Sequence, residues 1–456
     1  MSAPQPSSVL PLPAAAPVTD ETRLAYVLRH FRLAYSAVPD VAIGYTDGQS
    51  AITIANSAGD FFQQAAPYPP APNFRDWAGQ RVPFFFDNVP DVALLELSSG
   101  QVRITADIIS AAFYLLSGWQ EYFSDTRDRH GRFPYAASVQ QRYDFVALPV
   151  VNYYFDVLKT AVEHVTGRLL RPRPWAAGAP FAAFITHDID NLRSAWKAPA
   201  KVALHQGQLL KFGQQLWQRF SQPDAWDNLE TVAVATAAYG ARSTFFILPD
   251  HRPGADGTPN ADYRTTPALR QRLALLEQQG CEIGLHGSIG TAAEAQLLTR
   301  NLNDTRYGPQ GLRFHYLRWE PRHTPAVVDS VGFDFDSTLG FAEHFGFRYS
   351  FCLPFYPYNF TTATAHDFVE IPLNVMDATL HHPNYLQLKA EDILPALQPM
   401  FGEIEKFGGV ATVLWHNDHF DPANTVTGPQ QFAEIMTYLR QRGAAFLTGR
   451  QIVAEL

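Results

Sequence analysis

The stretch Phe181-Ala-Ala-Phe-Ile-Thr-His-Asp-Ile-Asp190 runs an apolar segment straight into a cluster of polar side chains. An apolar run without alternation reads as a strand buried on both faces, the kind that parallel sheets use. Working outward, Ser243–Leu248, Glu282–His286, Leu312–Leu317, Val410–His416 and Ala444–Leu447 read the same way. Amphipathic patterns at Leu229–Ala238, Pro267–Gln279, Pro395–Phe407 and Gln430–Arg442 are expected helices. Strands alternating with helices predict an α/β fold around a parallel sheet. In such folds the chemistry gathers at the carboxyl ends of the strands. Polar residues stand there repeatedly: Thr186–Asp190, His286-Gly-Ser288, His315 with Arg318, and His416-Asn-Asp418.

Those residue types define a chemistry. Asp188 and Asp190 flank Ile189, so in an extended chain their carboxylates point to one side. Two close carboxylates do not ionise together cheaply unless a cation lies beside them. They can alternatively cap the following helix or pair with Arg193. His286 ends an apolar run, and a carboxylate with imidazoles suits zinc or a related divalent ion. His416, after Ala411–Trp415, is placed to act as a general acid if its pKa lies near working pH. Arg318 can orient the Asp pair or a substrate oxygen through its planar donors, or make a simple ion pair at a strand end. Asp336 and Asp377 are further polar points between apolar residues, with a role behind the site or in a turn. Trp319 and Tyr316 can stack on sugar rings or pack in the core.

Upstream the pattern differs. Residues 1–19, rich in Pro, Ala and Ser, read as a disordered tail with no signal-peptide pattern. A helix is expected from Thr22 to Tyr35. Strands follow at Val41–Tyr45 and Ala51–Ala55 across a Thr46-Asp47-Gly48 turn, then another at Val82–Phe86. An amphipathic helix is expected around Asp107–Phe123. Residues 20–165 thus read as a smaller mixed α+β domain, separated by the linker Arg171-Pro-Arg-Pro from a second domain over 175–456.

Composition sets outer limits. The 456 residues are 46% hydrophobic, with 33 Phe, enough for large cores. The balance of 35 basic against 44 acidic residues gives −9, which disfavours non-specific affinity for nucleic acid or an anionic membrane. Two cysteines, Cys281 and Cys352, exclude a disulfide scaffold. No apolar run reaches the roughly 18 residues of a membrane span. The expected location is cytoplasmic.

Three motifs together resemble the polysaccharide deacetylases, carbohydrate esterase family 4: Phe184-Ile-Thr-His-Asp-Ile-Asp190, Gly240-Ala-Arg-Ser-Thr-Phe-Phe246 and Glu282-Ile-Gly-Leu-His-Gly-Ser288. Leu414-Trp-His416 is similar to that family's closing Leu-x-His. The resemblance spans about residues 175–456, and residues 100–165 look like the uncharacterised domain that precedes a divergent bacterial branch. It implies a distorted (β/α)7 barrel that removes acetyl groups from a glycan or glycan precursor with a divalent metal, zinc before cobalt, nickel or manganese. Asp188 is then the base and Asp190 a metal ligand displaced by one position, or the two exchange these roles, and His416 is the acid. The family's second histidine is absent, because Gly290 stands four residues after His286. His315 is the expected replacement ligand, with His187 next, and Arg318 lies near the family's arginine. The implied partner is an acetylated sugar or polysaccharide. The competing expectations are a non-catalytic glycan- or partner-binding barrel that has lost part of its metal site, and a metal hydrolase acting on another acyl amide.

Overall fold

In the computed structural model the described residues are 15–46, 50–221 and 223–456. Most of the expected tail, and Asp47 and Gly48 of the expected turn, lie outside them. Strand β1 (Ala182–Ile189) is central to a sheet whose other strands are β2 (Thr244–Ile247), β3 (Glu282–Gly287), β4 (Gly311–Phe314), β5 (Phe335–Asp336), β6 (Val369–Glu370), β7 (Val375–Met376), β8 (Val410–Leu414) and β9 (Ala445–Phe446). The order is β6-β5-β4-β3-β2-β1-β8-β7, with β9 also beside β1, and every pairing is parallel. The sheet curls into a half-barrel, the α/β architecture expected of the distorted barrel type.

β1 is buried along its whole length, which is why its sequence shows no alternation. Register brings the polar strand ends together: His187 faces Phe245 across the β1–β2 pair, and Arg313 faces His286 across β4–β3. β5, β6 and β7 have two residues each, too short to leave a periodic signal. The expected strand Leu312–Leu317 ends at Phe314, because Tyr316 and Leu317 take φ values of 58° and 53°. The helix expected from Pro395 begins at Ala390 and carries Pro395 and Pro399 inside it.

Residues 20–166 form a separate group of elements. The first helix is Asp20–Ala34, capped by the Thr19 hydroxyl, which accepts from the Thr22 amide at 3.2 Å. Ile43–Tyr45 pairs in parallel with Ile52–Ile54, so these strands do not form the hairpin that a tight turn between them predicts. They continue into Gln101–Ile104 and Leu95–Ser98. The strand expected at Val82–Phe86 runs Gln80–Phe84, antiparallel to Asn73–Trp77. The long helix expected at 107–123 is two, Ile108–Leu116 and Trp119–Phe123, broken at Gly118 (φ 69°). A Cβ there would meet the Tyr349 ring at under 3 Å, so close approach to the barrel dictates the break.

The two groups share one apolar core. Phe155 packs on Phe351 with centroids 5.6 Å apart, Phe113 on Tyr358 at 4.8 Å, and Tyr122 stacks on Phe360 at 4.1 Å. Among the described residues no helix is long and apolar enough to cross a membrane.

Candidate functional site

The carboxyl ends of β1, β3, β4 and β8 converge on a cleft of about 230 Å³ lined by Asp188, Asp190, His286, His315, Tyr316 and His416, among others. Each arrives for a local reason. Asp188 lies one residue before the end of β1, and Asp190 follows just beyond the strand on the same side, as strand alternation dictates. His286 sits near the end of β3. His315 is turned into the cleft by the left-handed residues that end β4.

Asp190, His286 and His315 form the one candidate metal-binding group among the described residues, with ligand atoms all within 4.8 Å of one another. Nδ1 of His286 lies 2.8 Å from the Arg313 carbonyl, and Nε2 of His315 lies 3.3 Å from the Pro259 carbonyl. A carbonyl only accepts, so the ring proton of each histidine is on that outer nitrogen. The inner nitrogens, 3.1 Å apart, then face each other with lone pairs. Each is 3.3 Å from Asp190 Oδ1, a buried oxygen that accepts no hydrogen bond. Three electron-rich atoms arranged in this way can hold a cation, and N/N/O donors suit zinc. Burial opposes the charge of Asp190, yet His315, His286 and His416 hold its carboxyl well below the usual range. Burial pushes the His315 imidazole down to about 4. Burial also works against protonation of His286, but Asp188 and Asp190 more than compensate and raise its pKa.

Asp188 is held by an arginine that the sequence analysis does not single out. Arg313 Nη1 donates to Asp188 Oδ1 at 3.0 Å and to Thr186 Oγ1 at 2.7 Å; Nε and Nη2 donate to Ser337 O and Oγ. The available signal is a charge inside the apolar run Gly311-Leu-Arg-Phe314, since a fully buried arginine needs a partner. Arg318, the expected orienting residue, does not reach the Asp pair. Its guanidinium bonds Asp256 at 2.6 Å, because the turn after Phe314 carries it to the rim.

At the other wall, Nδ1 of His416 donates to Asp377 Oδ1 at 2.8 Å, and Asp377 also accepts the His416 backbone amide. Nε2 is left facing the cleft, 3.8 Å from Asp190 Oδ2. Burial disfavours the charged imidazole, but Asp377 against the ring, with Asp190 and Asp188 nearby, holds its pKa well above the ordinary value.

Three further expectations resolve. His187 points to the opposite side of β1 from Asp188, bonded to the Trp415 carbonyl (2.7 Å) and Ser243 Oγ (3.0 Å), so it does not join the histidine pair. Trp319 is buried in the core, whereas Tyr316 lines the cleft with its ring stacked on His130 at 4.8 Å. Asp336 lies behind Arg313 beside Glu370; burial raises its carboxyl to about 6, and burial together with Asp336 raises that of Glu370. The N-terminal group adds Arg129, His130 and Arg132 to the cleft wall, with Arg132 donating to the Tyr316 carbonyl at 3.0 Å.

Residues 19–167 match the Family of unknown function (DUF7033). No curated protein matches the chain. Three solved structures are similar to it at low identity. A protein of Mycobacterium smegmatis described as a "putative polysaccharide deacetylase" is 16% identical, over 61% of this chain and 91% of its own, with TM-score 0.40. The Puue allantoinase is 15% identical, over 62% and 91%, with TM-score 0.40. A protein of Pseudomonas aeruginosa PAO1 described as a "probable Polysaccharide deacetylase" is 14% identical, over 62% and 92%, with TM-score 0.39.

Proposed function

We propose that the chain is a metal-dependent hydrolase of the polysaccharide deacetylase kind, which removes acetyl groups from a glycan or glycan precursor. The observation that carries this reading is Asp190 Oδ1, buried without a hydrogen bond, 3.3 Å from the inner nitrogens of both His286 and His315. Asp188 and His416 line the same cleft, one near each side of that trio. Asp190, His286 and His315 would hold the metal, with zinc the favoured ion and cobalt, nickel or manganese alternatives. Such an ion supplies Lewis-acid polarisation of the acyl carbonyl and a lowered pKa for water.

The chain's own residues do the rest. Arg313 fixes one oxygen of Asp188, leaving the other to take a proton from the attacking water. Water adds to the acetyl carbon, and the bond to the sugar nitrogen or oxygen then breaks. The departing group needs a proton as it leaves, and His416 gives it from Nε2. Asp377 aims that ring and keeps it charged until then. The products are acetate and the free amine or alcohol. Tyr316 and the basic residues Arg129 and Arg132 lie where a sugar chain would cross the rim. What favours this reading over a barrel that has lost part of its metal site is the histidine pair, with His315 Nδ1 3.1 Å from His286 Nε2.

The test is elemental analysis of purified protein together with acetate release from acetylated chito-oligosaccharides. One equivalent of bound divalent metal is expected. Loss of that metal is expected in His286→Ala and His315→Ala but not in His187→Ala. Asp188→Asn and His416→Ala should keep the metal and lose about 10²- to 10⁴-fold in kcat, the usual weight of a general base or acid. Metal-free protein that stays inert after zinc, cobalt and manganese addition would overturn the reading. Hydrolysis of non-sugar amides in preference to acetylated sugars would move it to another substrate class.

A further inference from the structure

The chain is acidic overall, but residues 191–223 contain five Lys or Arg and no Asp or Glu. This segment folds as two helices, Lys197–His205 and Leu209–Ser221, packed on each other between β1 and β2. Few of the described side chains of the pair are buried. In the first helix Ala200 and Ala203 are the buried side chains among those described, and in the second none of the described side chains is buried. Large apolar side chains instead face solvent: Val202 is 54% exposed, Leu204 52%, Leu209 68% and Leu210 92%. Lys197, Lys201 and Lys211 are exposed among them.

We propose that this helical pair is a docking surface for an anionic lipid bilayer. Interfacial helices combine apolar residues that enter the headgroup boundary with Lys and Arg that meet anionic lipid. A protein partner would have to offer a shaped pocket to a leucine as open as Leu210. A bilayer needs only apolar depth, and lysine stems can lie along it with their charges in the headgroups. The net charge of −9 argues against such contact only if charge is spread evenly, and here one sign is concentrated on one feature. The feet of the pair are fixed beside the cleft. Asn417, next to His416, donates to the Asn191 carbonyl at 2.8 Å and the Trp226 carbonyl at 2.7 Å. Docking would therefore bring the rim of the cleft toward the headgroups. The inference does not depend on the reaction proposed above.

The experiment is sedimentation of the full chain with vesicles of phosphatidylcholine alone, and with vesicles containing about a third phosphatidylglycerol. Partitioning at least about tenfold stronger to the anionic vesicles is expected, falling as salt shortens the screening length. Leu209→Asp/Leu210→Asp and Lys201→Glu/Lys211→Glu should each lose most of it. Because all four side chains are exposed, circular dichroism and the thermal midpoint should stay as in the parent. Equal binding to both vesicles, or undiminished binding by the folded variants, would overturn the proposal. So would a dimer in sedimentation velocity that Leu209→Asp/Leu210→Asp dissolves, since a second copy would then be the occupant.

Discussion

At the scale of single residues, buried polar groups settle which chemistry is available. Arg313 makes four directed bonds and lies over the Phe246 ring at 4.6 Å, a task for a planar guanidinium. Arg313→Lys should therefore lower kcat while leaving bound metal unchanged, as metal analysis beside kinetics would reveal. His30, far from the cleft, gives a stability prediction. It is fully buried, bonded to the Tyr26 carbonyl and the Tyr356 amide, and burial pushes its imidazole from 6.5 down to about 4. The unfolded chain therefore binds the extra proton first as pH falls. The stability contribution is complete above about pH 6.5 and is lost progressively toward pH 4. Between pH 7 and pH 5 this one group should cost about 2 kcal/mol. Urea unfolding at the two pH values should give a smaller difference in His30→Gln; an unchanged difference would exclude His30 as the cause.

At the scale of elements, small residues set how closely strands and helices approach. In β3, a Cβ on Gly284 would lie 2.7 Å from the Phe246 ring and 3.0 Å from the Gly311 carbonyl. The backbone cannot yield without moving β4, which carries Arg313 and leads into His315. Gly284→Ala should destabilise by about 1–3 kcal/mol, the usual cost of overpacking. It should also weaken metal binding, readable by competition with a chromophoric chelator. Unchanged affinity would mean that β4 is not displaced. The consecutive left-handed Tyr316 and Leu317 belong to the same element: they end the strand, aim His315 inward and send Arg318 to the rim.

At the scale of the whole molecule, the N-terminal group and the barrel are bound by buried charge as well as by apolar packing. Arg348 makes a two-pronged contact with Glu121, at 2.8 and 2.6 Å, and both side chains are fully buried. Arg127 grips Glu320 across the same boundary, and Arg322 donates to the Tyr122 and Ser124 carbonyls. Removing one partner of a buried pair strands the other charge, so Glu121→Ala should cost about 3–5 kcal/mol in urea unfolding. Glu121→Leu/Arg348→Leu should cost less than the sum of its single changes. A single unfolding transition for the full chain is expected, because the core is continuous. Two separate transitions would show that the groups are energetically independent.

The sequence by itself determined the buried parallel strands, since a strand covered on both faces must be apolar along its length, as β1 is. It also placed Asp188, Asp190, His286, His315 and His416 at strand ends, because polar residues that close an apolar run are conspicuous. It could not give the two-residue strands β5, β6 and β7, which are too short for any period. Nor did it separate Arg318 from Arg313, because the choice hangs on two left-handed residues whose conformation depends on the surrounding packing. The pairing of Asp377 with His416 and the empty hydrogen-bonding surface of Asp190 Oδ1 were likewise decided only by tertiary structure. Alternation and apolarity are properties of neighbours in the chain, whereas a carboxylate's partners come from strands far away in it.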